Sequence, residues 1–324
     1  MTERFQIRLL PDGRRLHLHD GPIDLIVEGF GSTHEIYVSY HAAATRFVSV
    51  LDELCGELAL LRRPAGKDSP LPAGVIAKRM AAAVAPYAAR TFITPMAAVA
   101  GAVAEEILAA MASAASLSRA YVNNGGDIAL HLSPGEKFVL GMIERPDRPS
   151  LFGTAMLDSS QPVRGIATSG WRGRSFSLGI ADAVTVLADR AAMADAAATI
   201  IANAVDLPGH SSIVRVPARE LAPDTDLGEL LVTQGVGELS AGETNAALDA
   251  GVDVAQSLLS GGLIRSAALH LRCDTRILRD DGRISDVPSD ADLVARIDPV
   301  REEIREGHGF SRAARDVPSG GFSH

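Results

Sequence analysis

The segment Tyr121-Val122-Asn123-Asn124-Gly125-Gly126-Asp127-Ile128 joins two apolar runs through Asn, two glycines and Asp. Asn and Gly enter positive φ at low cost, so the backbone can reverse sharply there. A plain type I′ hairpin uses the same residues. A nucleotide site would use them differently. The bare backbone of Gly125 and Gly126 admits close approach, and Asp127 accepts a hydrogen bond from a ribose or a base. The second segment is Ala167-Thr168-Ser169-Gly170-Trp171-Arg172-Gly173-Arg174-Ser175. The hydroxyls of Thr168 and Ser169 and the N–H of Gly170 suit phosphate oxygens, and Arg172 or Arg174 can grip such an oxyanion as a fork. An ordinary polar loop with solvated arginines has the same composition.

The third segment is Ala194-Asp195-Ala196-Ala197-Ala198-Thr199, with Asn203 beyond it. Asp195 and Thr199 stand four apart and share a helix face, and Asn203 extends the row. Carboxylate, hydroxyl and amide oxygens are hard donors, suited to Mg²⁺ rather than to zinc or copper. The alternative is an Asp near a helix start and a Thr bonded to its own helix backbone. Other residues offer less. The nine histidines show no HxxxH spacing, and His17 and His19 alternate with leucines, which predicts surface placement. Ser169 lacks a G-x-S-x-G elbow, and Gly29-Phe30-Gly31-Ser32 lacks the dinucleotide fingerprint. Glu105 and Glu106 read as one solvated and one partly buried carboxylate on a helix.

Positioning these groups requires a mixture of strands and helices. Strands are predicted at 5–10, 15–19 and 24–28, with 35–38 continuing the pattern. The intervening Pro11-Asp12-Gly13 and Asp20-Gly21-Pro22 are turn signals. Apolar residues at helical spacing (Phe47, Val50, Leu51, Leu54, Leu58, Leu61) predict a helix over 42–61. Further helices are expected over 74–84 and 95–115. The middle third reads as strands at 120–123, 128–132 and 138–143, with a hairpin-like turn at Ser133-Pro134-Gly135. Strands at 163–167 and 183–187 flank a Gly/Arg/Ser-rich segment, and a small-residue helix follows over 191–205. The remainder is a polar stretch (217–237), a helix (243–259), a strand (267–272) and a charged, Gly/Ser-rich end. The expected organisation is one α+β unit over 1–300, in one or two intimate lobes, with a mobile tail over 301–324.

Composition narrows the function classes. The chain has 324 residues, 47% of them hydrophobic, and a net charge of −9. Without a basic stripe, it is a poor partner for nucleic acid. Its two cysteines, Cys55 and Cys273, form no CxxC or zinc pattern. Cys55 sits in an apolar helical pattern and is expected to be a buried thiol. Charges interrupt the first ten residues, which does not fit a signal peptide. The apolar run from Phe92 to Met111 is broken by Glu105-Glu106 and reads as too short to span a bilayer. These features predict a cytoplasmic protein with no membrane partner.

In this order, the three segments resemble the ApbE superfamily of FAD:protein FMN transferases. That family has a strand–NxGGD–strand turn, an ATSG segment and a helix carrying AD-x₃-T. They correspond here to Asn123–Asp127, Ala167–Gly170 and Ala194–Thr199. The wording is closer to an uncharacterised cytoplasmic branch than to the secreted enzymes. The resemblance implies an α+β, T-fold-like architecture with mixed or antiparallel sheets packed with helices. It also implies FAD in a cleft, with its nucleotide near Asn124, Gly125, Gly126, Asp127, Thr168, Ser169 and Gly170. Asp195 and Thr199 would then be the catalytic side chains and the ligands of a Mg²⁺ on the diphosphate. In such enzymes FMN moves to a Ser or Thr hydroxyl of a protein acceptor and AMP leaves. The transferases carry a His-Ile-x-x-Pro-x-x-Gly type segment before the metal helix; Ser175–Asp182 here has neither His nor Pro. A non-catalytic flavin or nucleotide holder, or a pathway accessory protein, is therefore the alternative. An enzyme reusing the cleft for another substrate, with Arg172, Arg174 and Asp182 setting specificity, is a third.

Overall fold

Burial alternates with a period of two along Arg119–Asn124, where Ala120, Val122 and Asn124 point inward. That periodicity commits the segment to a sheet with one face on the core. Leu16–Asp20 and Ile23–Phe30 are buried over most of their length, as befits strands covered on both faces. The structure, a computed structural model, describes residues 4–143, 151–279 and 284–286.

In chain order, β1 (Phe5–Leu9), β2 (Leu16–Asp20) and β3 (Ile23–Phe30) lead into α1 (Thr33–Gly56), α2 (Leu58–Leu61) and α3 (Val75–Val84). A 3₁₀ turn at Pro95–Ala98 opens α4 (Val99–Ala114). Next come β4 (Arg119–Asn124), β5 (Asp127–Leu132), β6 (Lys137–Ile143), β7 (Leu151–Asp158), β8 (Gly165–Ser169) and β9 (Ala183–Ala188). After α5 (Ala191–Ala204) follow β10 (Ile213–Pro217), α6 (Ala218–Leu221), β11 (Leu231–Val236) and α7 (Ala241–Ser260). The last described strands are β12 (Ser266–Leu271), β13 (Asp274–Arg279) and β14 (Ile284–Asp286).

Among the described residues, ten strands form one sheet in the order β1-β2-β3-β4-β5-β8-β9-β12-β13-β14. Every neighbouring pair is antiparallel. The order shows two like halves. In each, a hairpin (β2-β3 or β8-β9) is followed by helices and then by a second hairpin (β4-β5 or β12-β13) beside the first. Ile128↔Ile166 and Ala129↔Gly165 join the halves. The expected α+β class with antiparallel sheets is what the chain forms.

The helices pack side by side against the sheet: α1 on β2 and β3, α4 on β4 and β5, α5 on β8 and β9, α7 on β12 and β13. Their contacts form one continuous core that runs from Leu18, Leu25 and Phe47 to Leu248 and Leu269. A smaller cluster of Leu130, Leu157, Val163 and Ile166 is packed by Tyr121 and Phe138, so β6 and β7 contribute to a second apolar layer. The described residues belong to one compact unit. The expected boundary at residue 300 and the tail 301–324 lie outside the described residues.

Several local expectations are corrected. Glu35–Val38 is no strand: Ser32 caps α1 by accepting the Glu35 N–H at 3.3 Å, so the helix begins at Thr33. Cys55 is exposed, because α1 buries the stripe Phe47–Val50–Leu54 and Cys55 falls about 100° off it. His17 is buried instead of superficial, with Nε2 2.6 Å from Asp24 Oδ1 and Nδ1 accepting from Arg8 Nε at 3.1 Å. The turn at Ser133–Gly135 forms, yet β5 pairs with β4 and β8, and β6 pairs with β7. The polar stretch over 217–237 holds α6 and β11, with β11 paired to β10.

The helix expected over 95–115 forms, but its apolar run is not too short to span a bilayer. Pro95–Ala114 reaches the length and apolarity of a membrane span, and it serves here as an internal helix packed on α1, α3 and α5. Glu105 and Glu106 do not interrupt this packing because arginines meet both. Arg79 lies 2.9 Å from Glu105 and 3.1 Å from Glu106, and Arg46 lies 2.8 Å from Glu106. Their side chains are only 10% and 13% exposed, so neither is the solvated carboxylate expected.

Candidate functional site

The β4–β5 turn is a two-residue hairpin with Asn124 opposite Asp127. Gly125 has φ +67° and Gly126 φ +116°, backbone that L side chains rarely adopt. Asn123 Oδ1 accepts the Gly126 N–H at 2.8 Å and tightens the turn. Asn124, buried, donates from Nδ2 to Ala100 O at 3.2 Å, which ties the turn to the start of α4. The Arg174 guanidinium lies directly against Gly125, where any Cβ would collide with it.

Asp127 follows the turn, partly buried, and accepts the Thr168 N–H at 3.3 Å. Burial pushes its carboxyl up to about 7, against the pull of that N–H and of the Arg174 charge. Asp195, on the first turns of α5, accepts the Gly101 N–H at 3.0 Å. Burial, and then the nearby Asp127 charge, raise its carboxyl well above the usual range, while the Gly101 and Ala100 N–H groups pull the other way. The two halves of the fold therefore bring two carboxyls together in a partly desolvated spot.

The starts of α4 and α5 cap one another. Asp195 of α5 takes an N–H of α4, and Glu105 of α4 takes the Ala192 N–H of α5 at 2.9 Å. Free N–H groups at a helix start favour a carboxylate. The close approach depends on Gly101, where a Cβ would strike the backbone of Ala191 and Ala192. Thr199 lies one turn beyond Asp195, and its hydroxyl has no hydrogen-bond partner among the described residues. Asn203 does not extend the row: its Oδ1 accepts the Leu178 N–H at 2.9 Å and the Ser177 hydroxyl at 3.2 Å.

The segment after β8 is held from the C-terminal third. Thr168 bonds Thr185 across the sheet at 2.9 Å, and Ser169 pairs with Val184. Gly170 sits where a Cβ would be 2.5 Å from Asp182 O. Buried Asp182 collects Trp171 Nε1 at 3.1 Å, Arg172 Nε at 2.6 Å and the Arg272 N–H at 2.7 Å. Arg172 also stacks 4.2 Å over the Trp171 ring. Arg174 is thus brought to the hairpin, whereas Arg172 is bound to Asp182. Sequence reasoning missed Ala100, Gly101 and Glu105. The available signal was a glycine in an alanine-rich helix, which marks close backbone approach.

Among the described residues, no three His, Cys, Asp or Glu gather into a metal cluster. The site instead offers two carboxyls, Asp127 and Asp195, and the unpartnered Thr199 hydroxyl. A family model described as AbpE bacteria matches residues 7–283. The chain belongs to that family.

The match to the AbpE family covers all three segments of the site. A UPF0280 protein of Methanopyrus kandleri is 42% identical over 129 residues, 40% of this chain and 48% of that relative. One from Methanococcoides burtonii is 40% identical over 123 residues, 37% of this chain and 49% of the relative. The chain thus spans about half the length of these curated relatives. A solved structure of the flavin transferase ApbE from Vibrio cholerae aligns with a TM-score of 0.31 and 12% identity, over 87% of this chain and 96% of that one.

Proposed function

We propose that this AbpE-family chain binds FAD or a closely related dinucleotide together with Mg²⁺ and acts on the diphosphate as a transferase or hydrolase. The observation that carries the reading is the Asp127–Asp195 pair. Two carboxyls near enough for one charge to raise the other, in a partly desolvated site, favour protonation when empty and a cation when charged. Hard oxygens, one or two carboxylates and a free hydroxyl are what Mg²⁺ takes when substrate phosphates complete its shell. Asp195, Thr199 and Asp127 would hold the ion, which when bound supplies charge neutralisation and polarises a diphosphate oxygen.

The protein's own part is positioning. The open side of Gly126, with no atom within 4 Å of a would-be Cβ, admits a nucleotide to the backbone. Arg174 adds positive charge beside the hairpin, and the Thr168-Ser169-Gly170 strand end lines the same edge. The reaction breaks the phosphoanhydride bond of FAD. The oxygen of an acceptor hydroxyl, or of water, forms the new P–O bond to the FMN phosphate and loses its proton, and AMP departs with the bridging oxygen. Positioning and charge stabilisation suffice for such transfers. A cytoplasmic setting belongs to the same reading, supported by two free, exposed cysteines. Recovery of the native protein from a membrane fraction would count against that setting.

A second reading, a flavin or nucleotide holder without turnover, is favoured by the segment 175–182. It carries no acid–base side chain except Asp182, which is already bound by three donors. Incubation of the full chain with FAD and Mg²⁺, followed by chromatography, separates the readings. FMN and AMP appearing only with Mg²⁺, and not with Asp195→Asn, support the enzyme. Saturable FAD binding without products supports the holder. Failure of FAD to bind with or without Mg²⁺ sinks both.

A further inference from the structure

We infer that Glu105 is a positioning residue: by capping α5 it fixes where Asp195 presents its carboxylate to a cation, a role that rests on the metal site proposed above. Glu105 touches neither ion nor nucleotide in this scheme and acts through one backbone amide.

Neither helix supplies its own cap. Ala98 opens α4 and Arg190 opens α5, and the side chain of neither caps its helix. The free N–H groups of each first turn are met from the other helix instead. Gly101 and Glu105 stand four apart on α4 and share a face, as do Ala192 and Asp195, three apart on α5. Two bonds join these faces: the Gly101 N–H to Asp195 Oδ2 at 3.0 Å, and the Ala192 N–H to Glu105 Oε1 at 2.9 Å. Helix ends fray, and Asp195 lies just past the first turn of α5. The bond at Ala192 pins that turn.

The Glu105 side chain is itself held. It is 10% exposed, and its Oε2 takes Arg79 Nε at 2.9 Å and Arg190 at 2.8 Å, which leaves Oε1 to the amide. Arg79 also bonds Ala102 O and Glu106, both at 3.1 Å, so it is anchored on α4. A Cβ at Gly101 would strike the backbone of Ala191 and Ala192, so the crossing has no slack.

Two conservative variants of the full chain separate the hydrogen bond from the charge. Glu105→Gln keeps an acceptor for Ala192 and loses the charge. Glu105→Asp keeps the charge, and the flexible arginines can follow it, but its carboxylate ends about 1.5 Å short of an amide fixed in the backbone. Thermal unfolding verifies that both fold. ADP is titrated with and without Mg²⁺, and exchange of the Gly101 amide is followed in metal-free protein. Glu105→Asp should lose about fivefold or more of the Mg²⁺-dependent affinity, the worth of one cap, with the Mg²⁺-free affinity unchanged. Its Gly101 amide should exchange about fivefold or more faster. Glu105→Gln should stay within about twofold of wild type on both measures. A role limited to ion pairing predicts the reverse order, with Glu105→Gln the weaker variant in unfolding and Mg²⁺ dependence intact in both. Glu105 has no positioning role if Glu105→Asp keeps its Mg²⁺-dependent affinity or its Gly101 protection, or if Glu105→Gln falls as far as Glu105→Asp. A wild type whose ADP affinity ignores Mg²⁺ counts against the metal site, and the Gly101 exchange rate then decides alone whether Glu105 holds Asp195 in place.

Discussion

Asp195 Oδ2 accepts the Gly101 N–H at 3.0 Å and so joins the first turns of two helices 94 residues apart in sequence. Glu105 returns the contact to Ala192, so the relative placement of α4 and α5 rests on two acidic caps and one glycine. Function and stability are therefore separable at Asp195. Asp195→Asn keeps an acceptor for Gly101 and should hold Tm near wild type. Asp195→Ala leaves the amide uncapped and should cost about 1 kcal/mol. Both should lose Mg²⁺-dependent nucleotide affinity. Thermal unfolding and titration with ADP, with and without Mg²⁺, check the pair, and undiminished Mg²⁺ dependence in either variant removes Asp195 from the metal site.

Gly101→Ala should be harsher than a surface change. Its Cβ would meet the α5 backbone, which cannot rotate aside as a side chain can. Overpacking of this kind costs about 1–3 kcal/mol. Denaturant unfolding should show a lower midpoint at unchanged m, and a wild-type midpoint would mean that the helices can separate freely.

The Asp127 carboxyl titrates at about 7 in the fold against an ordinary 3.8. Its folded pKa is raised, so its contribution to stability is complete below about pH 4 and is lost as pH rises toward 7. Stability without Mg²⁺ should fall across that window, and Asp127→Asn should flatten the slope. Arg174→Gln should move the titration further up, because the Arg174 charge lowers it. Carboxyl-carbon NMR titration follows both effects. A midpoint near 4, insensitive to Arg174, would contradict the desolvated pair.

Asp182→Ala should be the most damaging single change near the site. It removes the common acceptor of Trp171, Arg172 and the Arg272 N–H, and leaves Arg172 without its carboxylate. Arg272 holds φ +61°, unusual for a residue other than Gly, so its turn loses the bond that helps fix it. Breaking a buried pair costs about 3–5 kcal/mol. Trp171 is the only tryptophan, so its fluorescence should shift toward solvent values before global unfolding. Unchanged emission and midpoint would show that the loop stands without Asp182.

Local chemistry alone determined much of this protein. Asn124-Gly125-Gly126-Asp127 demanded a tight reversal, because few other residues take positive φ in succession. The 3.6-residue spacing of Phe47, Val50 and Leu54 set the buried stripe of α1. Asp195 and Thr199 share a helix face by periodicity alone. The order of the three segments pointed to the family to which the chain belongs.

Tertiary structure decided what those residues touch. That Asp195 feels the Asp127 charge follows from pairing β5 with β8, two strands from different halves of the fold, and no local rule encodes that pairing. Asn203 shares the helix face, but the Leu178 amide claims its oxygen, a competition visible only once the segment 175–182 folds back. Arg172 and Arg174 are two residues apart and alike in sequence, yet Asp182 binds one and the hairpin receives the other. His17 and Cys55 exchanged their expected environments because burial depends on which strand or helix lies opposite, and those neighbours come from distant parts of the chain. Sequence supplies the donors and the local curvature; long-range packing sets their partners and their charge.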